Sequence, residues 1–318
     1  MTMEPKSLIR LAVPMPSNRV MMLGLKVTLQ LSRTNFMVFG ARKADPSSAG
    51  ETTTWERHPP MPQIHQVAIV TGGSRGIGRA ISAHLAAQGT AICVNYSAQP
   101  EPAEALVTEL HARGTSAIAV HADVSDSAQA QALIDRAEAE LGPPTILVNN
   151  AGISAPGTLE TYDEATVDRM RRVNVNGVIN TTRAIMAGMK ARAYGRIVNI
   201  ASNAAIGTTL SGTAFYAATK AEVLILTKRF ALELGRSGIT VNAVCPGWGG
   251  TDMTRGSTTE EEFSVRVADM GERTMVGRGG APEDIAAAVA FLSSPEAGFT
   301  TAQVLTVDGG RKDYIGHG

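Results

Sequence analysis

The sequence predicts an α/β fold, doubly wound, with a seven-stranded, mostly parallel sheet and helices on both faces. Three observations carry that expectation. From about Gln66 onward, short apolar runs alternate with segments of helical periodicity. The apolar runs hold few charges and alternate only weakly, as strands do when both their faces are buried. A glycine-rich turn joins the first run to the first helical segment. Alternating strands and helices build parallel sheets through right-handed crossovers.

The elements follow in order. "QVAIVT" (66–71) is strand-like, and the helical segment 76–89 places Ile77, Ile81 and Leu85 on one face and stops at Gly89. Residues 90–96 read as a strand. The segment 102–114 opens on Pro102 and closes on Gly114, the asymmetry expected of a helix. Strands at 116–124 and 145–152 flank a helix at 127–142. A long helical pattern covers roughly 163–191, then a strand 195–202 and a helix from about Thr213 to Arg236. A strand at 239–247, a helix at 282–293 and a last strand at 303–310 complete the set.

Composition narrows the function classes. The chain has 318 residues, 44% hydrophobic and 18% charged, enough apolar content for a sizeable core. Its 29 basic residues equal its 29 acidic ones, which argues against a nucleic-acid or membrane surface as partner. No apolar run approaches the roughly 18 residues of a membrane helix. Cys93 and Cys245 sit in apolar runs without metal-ligand spacing and read as small buried hydrophobes.

The first stretch of the chain is different in kind. Residues 1–63 are expected to form a basic, disordered N-terminal extension, and 64–318 a single domain. Up to Lys43 the extension carries seven basic residues against Glu4, and 44–63 is a linker-like stretch rich in Ser, Thr and Pro. A transit peptide, a tail, and a true start near Met61 all remain open, with the tail or later start preferred. The expected location is cytoplasmic, with organelle targeting as the alternative.

"TGGSRGIG" (71–78) follows the first strand and opens the first helix. Glycines at 72, 76 and 78 allow a tight turn and close approach to a pyrophosphate, and the helix N-terminus offers free N–H groups and a positive dipole end. This is the fingerprint of a Rossmann-type dinucleotide site. NAD sites usually carry an acid at the end of the second strand, yet that strand ends "VNYS" (94–97). Arg75 stands in the turn, suited to a 2′-phosphate. Both features favour NADP(H) over NAD(H). Tyr216 and Lys220 lie four apart on a predicted helix and share a face. A nearby ammonium is expected to stabilise the phenolate and lower the tyrosine pKa, giving a proton shuttle for a carbonyl or alcohol oxygen.

Taken together, "TGGSRGIG" (71–78), Asp123 after Ala122, "NNAG" (149–152), "VNVNG" (173–177), "NIAS" (199–202), "YAATK" (216–220) and "PGWGGTDM" (246–253) resemble the short-chain dehydrogenase/reductase family over about 250 residues. The resemblance implies that Tyr216 is the general acid or base, with Lys220 lowering its pKa and holding the nicotinamide ribose. Ser202 would bind the substrate oxygen and Asn174 anchor a water of the proton relay. The implied cofactor residues are Gly72, Ser74, Arg75, Gly76, Ile77 and Gly78 of the turn, and Asn95, Tyr96 and Ser97 after the second strand. Asp123, Val124, Asn149, Ala151 and Gly152 follow, then Pro246, Gly247 and Thr251 near the carboxamide. No metal is implied.

Two departures stand out. Ser202 lies fourteen residues before Tyr216, where the family usually has about thirteen, and Asn203 occupies the usual spacing. An inserted residue in the loop 203–213 explains this and keeps Ser202 at the strand end, while Asn203 remains a possible donor to substrate. Gly249 and Gly250 stand where bulkier residues are common, implying a flexible start to a substrate lid at 251–276. The general look is closest to 3-oxoacyl-[acyl-carrier-protein] reductases. The alternatives are a sugar, polyol or small-ketone dehydrogenase, or a non-catalytic NADP(H)-binding sensor or scaffold. A homotetramer or homodimer is expected, paired through the long helices, with Val223, Leu224, Leu226 and Phe230 as apolar candidates.

Overall fold

The computed structural model describes residues 25–30, 38–43, 65–247, 249 and 258–315. The chain divides into two units, Met1–Pro60 and Met61–Gly318. In the first, β1 (Leu25–Gln30) pairs antiparallel with β2 (Val38–Lys43). The sequence reading assigned no element there, although "LKVTLQ" alternates apolar and polar residues with the period of a strand.

The second unit is built on seven strands: β3 (Val67–Val70), β4 (Ala91–Tyr96), β5 (Ala117–His121), β6 (Ile146–Asn149), β7 (Gly195–Ile200), β8 (Ile239–Pro246) and β9 (Val304–Val307). Their order is β5-β4-β3-β6-β7-β8-β9, and every pairing is parallel. The order reverses between β3 and β6, which opens a crevice at the carboxyl ends of those strands.

Helices cover both faces. One core layer joins α1 (Gly76–Ala87) and α2 (Glu101–Ala112) to α8 (Pro282–Ser293), with Ile81, Leu85, Leu106 and Val289 buried between them and the sheet. The other joins α3 (Ser127–Leu141) and α5 (Gly177–Ala191) to α6 (Ala214–Leu234) through Leu133, Ile185, Met189 and Ala231. The five inner strands, β3, β4, β6, β7 and β8, are almost wholly buried, which accounts for their lack of alternation, while the edge strands β5 and β9 are partly exposed.

The long helical pattern at 163–191 is interrupted. It divides into α4 (Glu164–Arg171), a π-helical turn Arg172–Asn176, and α5. Such turns are rare and recur at functional sites. A further helix, α7 (Glu260–Glu272), lies in the expected lid. Its signal was legible: Thr259 and Glu262 form a capping box, the S/T-x-x-E pattern that starts helices. Val223 is fully buried in its own chain and so is closed to a partner, whereas Ile225 and Leu232 of the same helix are exposed.

Between the layers runs a buried amide chain. Thr181 Oγ1 donates to Asn149 Oδ1 (2.6 Å), Asn149 Nδ2 to Asn199 Oδ1 (2.9 Å), and Asn199 Nδ2 to Thr227 Oγ1 (2.9 Å). It ties β6 and β7 to α5 and α6 at the sheet centre, where an unpaired amide is costly. Asn199→Leu is expected to strand its buried partners and destabilise the protein by about 2–4 kcal/mol. Urea unfolding would measure this as a lower midpoint at unchanged slope.

Candidate active site

The site begins at the switch point. Thr71 Oγ1 donates to Val148 O (3.3 Å) and accepts from the backbone N–H groups of Asn150 (2.9 Å) and Ala151 (3.0 Å). Asn150 Nδ2 donates to the carbonyls of Thr71 (2.9 Å) and Gly72 (3.0 Å). These bonds lock the glycine turn to the end of β6. Gly72 and Gly76 have φ of +58° and +51°, the left-handed region that favours glycine. A Cβ on Gly78 would lie 2.2 Å from Gly72 O and 2.6 Å from Asn150 Nδ2, so only glycine fits. Thr71 and Asn150 fasten this turn, although neither is among the residues singled out from the sequence for cofactor binding.

The other candidate cofactor residues divide into those facing the crevice and those behind it. Arg75 is exposed at the start of α1 and makes no ion pair among the described residues. Ser97 is exposed just beyond β4. Ile77 and Gly247 line a small depression with Asp308. Asp123 turns its carboxylate to Ser125 N (2.9 Å) and is partly exposed.

Asn95 is buried instead. Its Oδ1 accepts from Gly72 N (3.2 Å) and its Nδ2 donates to Ala122 O (3.0 Å), so it braces the turn from within. Asn149 is likewise buried, its side chain spent on the amide chain rather than directed along the crevice. Val124 and Ser74 are buried, and Tyr96 meets His121 in a tilted ring contact with centres 5.5 Å apart. Pro246 ends β8, and Gly247 N donates to Val307 O (2.9 Å). Thr251 lies outside the described residues, as do Trp248 and Gly250.

At the carboxyl end of β7, the structure brings four candidates together. Ser202 caps a short 3-10 helix, Asn203–Ile206, through its Oγ and Ala204 N (3.1 Å). The same side chain is hydrogen-bonded to Tyr216, the third residue of α6. Lys220, one turn further along, is 4% exposed and donates its Nζ to Ile200 O (2.9 Å), with the Tyr216 ring centre 5.8 Å away. Gly152 closes the group, since a Cβ there would lie 3.2 Å from Lys220 Nζ and 3.3 Å from Asn174 Oδ1. Asn174 sits in the π-turn and is fully buried. Its side chain exchanges hydrogen bonds with the Ile153 backbone (2.8 and 2.9 Å) and donates to Thr219 Oγ1 (3.0 Å). Asn174 thus fastens α5 to α6 beneath Tyr216, which its sequence motif alone could not show.

The serine question is resolved spatially. Ser202 belongs with Tyr216, whereas Asn203 lies beside Tyr314 of the C-terminal segment. Electrostatics depart from the sequence expectation. Burial holds the Tyr216 phenol above its ordinary pKa, and the Ser202 hydrogen bond only partly offsets it. Burial also pulls Lys220 down to about 8. The ammonium is spent on the Ile200 carbonyl rather than on the phenol. Cys245, fully buried beside this group, is pushed up to about 11. A phenol that keeps its proton, next to a hydroxyl and a dry cation, is equipped to donate a proton to one oxygen.

Residues 66–262 match the short chain dehydrogenase family. An acetoacetyl-CoA reductase of Rhizobium meliloti is 42% identical over 250 residues, covering 78% of this chain and 99% of the relative. A 3-oxoacyl-[acyl-carrier-protein] reductase FabG of Staphylococcus aureus is 40% identical, covering 76% and 96%. Among solved structures, a short chain dehydrogenase from Burkholderia cenocepacia in complex with NADP is 37% identical, with a TM-score of 0.70 over 77% of this chain and 97% of that one. An actinorhodin polyketide ketoreductase with NADPH superposes with a TM-score of 0.72 at 34% identity, covering 78% of this chain and 98% of that one.

Lys220 gives a signed prediction. Its pKa falls from 10.5 to about 8 on folding, so below pH 8 the fold bears the cost of a buried cation, on the order of 3 kcal/mol. That cost fades as pH rises from 8 towards 10.5, where the unfolded chain alone holds the proton. Lys220→Met is therefore expected to stabilise the protein by about 1–3 kcal/mol at pH 7, with the gain shrinking by pH 10. Chemical unfolding of both forms across that range measures it.

Proposed function

The chain belongs to the short-chain dehydrogenase family and is an oxidoreductase acting on carbonyl or alcohol groups; from that premise we propose that it is NADP(H)-dependent, that Tyr216 moves the proton, and that 3-oxoacyl thioesters are its ketones. The observation that carries this reading is the convergence of Ser202 and Tyr216 over the buried Lys220 at the sheet's carboxyl edge. The names of the relatives, acetoacetyl-CoA and 3-oxoacyl-[acyl-carrier-protein] reductases, support the substrate class.

The residues fit a dinucleotide. The turn at Gly72–Gly78 has no room for side chains where a pyrophosphate would approach, and it faces the N-terminus of α1. Arg75 and the neutral end of β4 suit a 2′-phosphate better than a ribose hydroxyl alone. When bound, the nicotinamide supplies or accepts the hydride. The protein's part is orientation and proton transfer. Ser202 Oγ and Tyr216 Oη meet the substrate oxygen together. The raised phenol pKa keeps the proton on Tyr216 until negative charge develops on that oxygen, and the Lys220 cation favours its release. The exposed Ile225 and Leu232 on α6 support pairing of copies through that helix into a homodimer or homotetramer.

Tyr216→Phe is expected to lower ketone reduction by roughly 100- to 10,000-fold while NADPH binding persists. Unchanged turnover would favour a sensor or scaffold. Arg75→Ala should raise the KM for NADPH by about 10- to 100-fold, the worth of one charged hydrogen-bond pair, and leave that for NADH nearly unmoved. Because the Lys220 ammonium is lost near pH 8, reduction should hold below that pH and fall above it. A pH series of initial rates with acetoacetyl-CoA reads this directly.

A further inference from the structure

Terminal segments fray unless something ties them down. Beyond β9, residues 308–315 are tied on two sides. On one side is the end of α7. Lys312 N donates to Arg273 O (2.9 Å), Met275 N donates to Gly309 O (2.9 Å), and Thr274 forms an antiparallel bridge with Arg311. On the other is the loop that Ser202 opens. Ile315 N donates to Gly207 O (2.8 Å), Thr209 N donates to Asp313 O (3.1 Å), and Thr208 bridges to Tyr314. Tyr314 donates its hydroxyl to Asp308 and is hydrogen-bonded to the Asn203 side chain.

One carboxylate joins the two sides. Asp313 Oδ2 accepts from Thr209 Oγ1 (3.0 Å), Arg273 Nη1 (3.4 Å) and Arg311 Nη2 (2.9 Å), and its Oδ1 accepts from Arg311 Nε. Arg311 is 7% exposed, so this two-pronged pair has a fixed geometry. Its hydrogen bonds hold the Asp313 carboxyl well below the usual carboxylate range, against the opposing effect of burial. The serine is reached through its own cap. Ser202 Oγ accepts from Ala204 N (3.1 Å) in the 3-10 helix Asn203–Ile206, and the same side chain is bonded to Tyr216. That short helix is fastened at its start by Tyr314 and just past its end, at Gly207, by Ile315. A 3-10 turn has poor hydrogen-bond geometry of its own. The direction of Ser202 Oγ therefore follows the segment that grips the loop.

We propose that Asp313 is a positioning residue for the reaction: by holding Thr209 and Arg273 on one carboxylate, it sets the Ser202 loop and the end of α7 in a single arrangement that aims Ser202 at the ketone oxygen. This rests on the reading that Ser202 and Tyr216 hold that oxygen. Asp313 acts through the loop and touches neither substrate nor cofactor in this role. Groups that share one charged acceptor support one another, so Thr209 and Arg273 act on the reaction as a unit, and loosening either side loosens the other.

The test compares the full chain with three variants. Thr209 is exposed and Arg273 partly exposed, so Thr209→Val and Arg273→Met each remove one arm without emptying the core. Asp313→Asn removes the charge that both arms share. Backbone hydrogen exchange reads the link without any substrate. Thr209→Val is expected to speed exchange at residues 273–276, and Arg273→Met at 204–209, by about threefold or more. Asp313→Asn should do both and leave β6 unmoved. Initial rates with acetoacetyl-CoA and NADPH read the consequence. Each variant should lower kcat by roughly tenfold with the KM for NADPH unchanged. Thr209→Val combined with Arg273→Met should fall no further than either alone. Exchange that rises only on the altered side overturns the proposal, as do an unchanged kcat, a parallel rise in the KM for NADPH, or losses that multiply in the combined variant. An unaltered protein that does not reduce acetoacetyl-CoA counts against the proposed reaction, and the exchange result then decides the Asp313 link by itself.

Discussion

A lysine ammonium kept in a dry site organises the candidate active centre. Lys220 is almost fully buried, and one carbonyl, that of Ile200, takes its hydrogen bond. Burying a cation is unfavourable unless surrounding groups hold it firmly. The structure does so with rigid elements on every side. The lysine projects from α6, its acceptor ends β7, and Gly152 beyond β6 leaves little room for a side chain beside the ammonium. Asn174 in the π-turn then ties α5 to α6 through Thr219, the residue before the lysine. Shifting any of these elements would leave the charge unpaired or exposed.

The crevice beside this cation depends on close backbone approach. Strand order reverses between β3 and β6, and Thr71 and Asn150 stitch the two strand ends together. The glycine turn is drawn tight enough that Gly78 meets Gly72 without room for a methyl group. Asn95 holds the same turn from below. Polar residues that sit in cofactor motifs are thus spent partly on shaping the cleft, with fewer left to line it. Buried polar groups rigidify a site when each is satisfied, and the chain from Thr181 through Asn149 and Asn199 to Thr227 does this at the sheet centre.

The substrate side is held differently. The loop after Ser202 is a residue longer than the usual spacing, and loops alone fix a side chain poorly. The C-terminal segment supplies the missing rigidity by pairing with Thr208 and Thr209 and clamping Asp313 with Arg311. Tyr216 and Lys220 therefore stand on a helix, while Ser202 opens a loop braced by the chain terminus.

The seven strands, their helical crossovers and the glycine turn were legible in the sequence, because burial periodicity and glycine geometry are local properties written into neighbouring residues. Tyr216 and Lys220 were legible for the same reason, being one helical turn apart. The π-turn was not, since its helical pattern reads continuously through Arg172–Asn176 and only packing interrupts it. The sign of the tyrosine's pKa shift was also hidden. Sequence showed a lysine nearby, but desolvation depends on what surrounds the ring, and it outweighs the Ser202 hydrogen bond that opposes it. The choice between Ser202 and Asn203 turns on the path of a fourteen-residue loop segment, and the return of Tyr314 to that loop joins residues more than a hundred positions apart. Sequence alone determined the architecture and the candidate pair Tyr216 and Lys220. Only the tertiary structure decided which groups are buried and which are already satisfied, because those properties belong to the surroundings of a residue rather than to its neighbours in the chain.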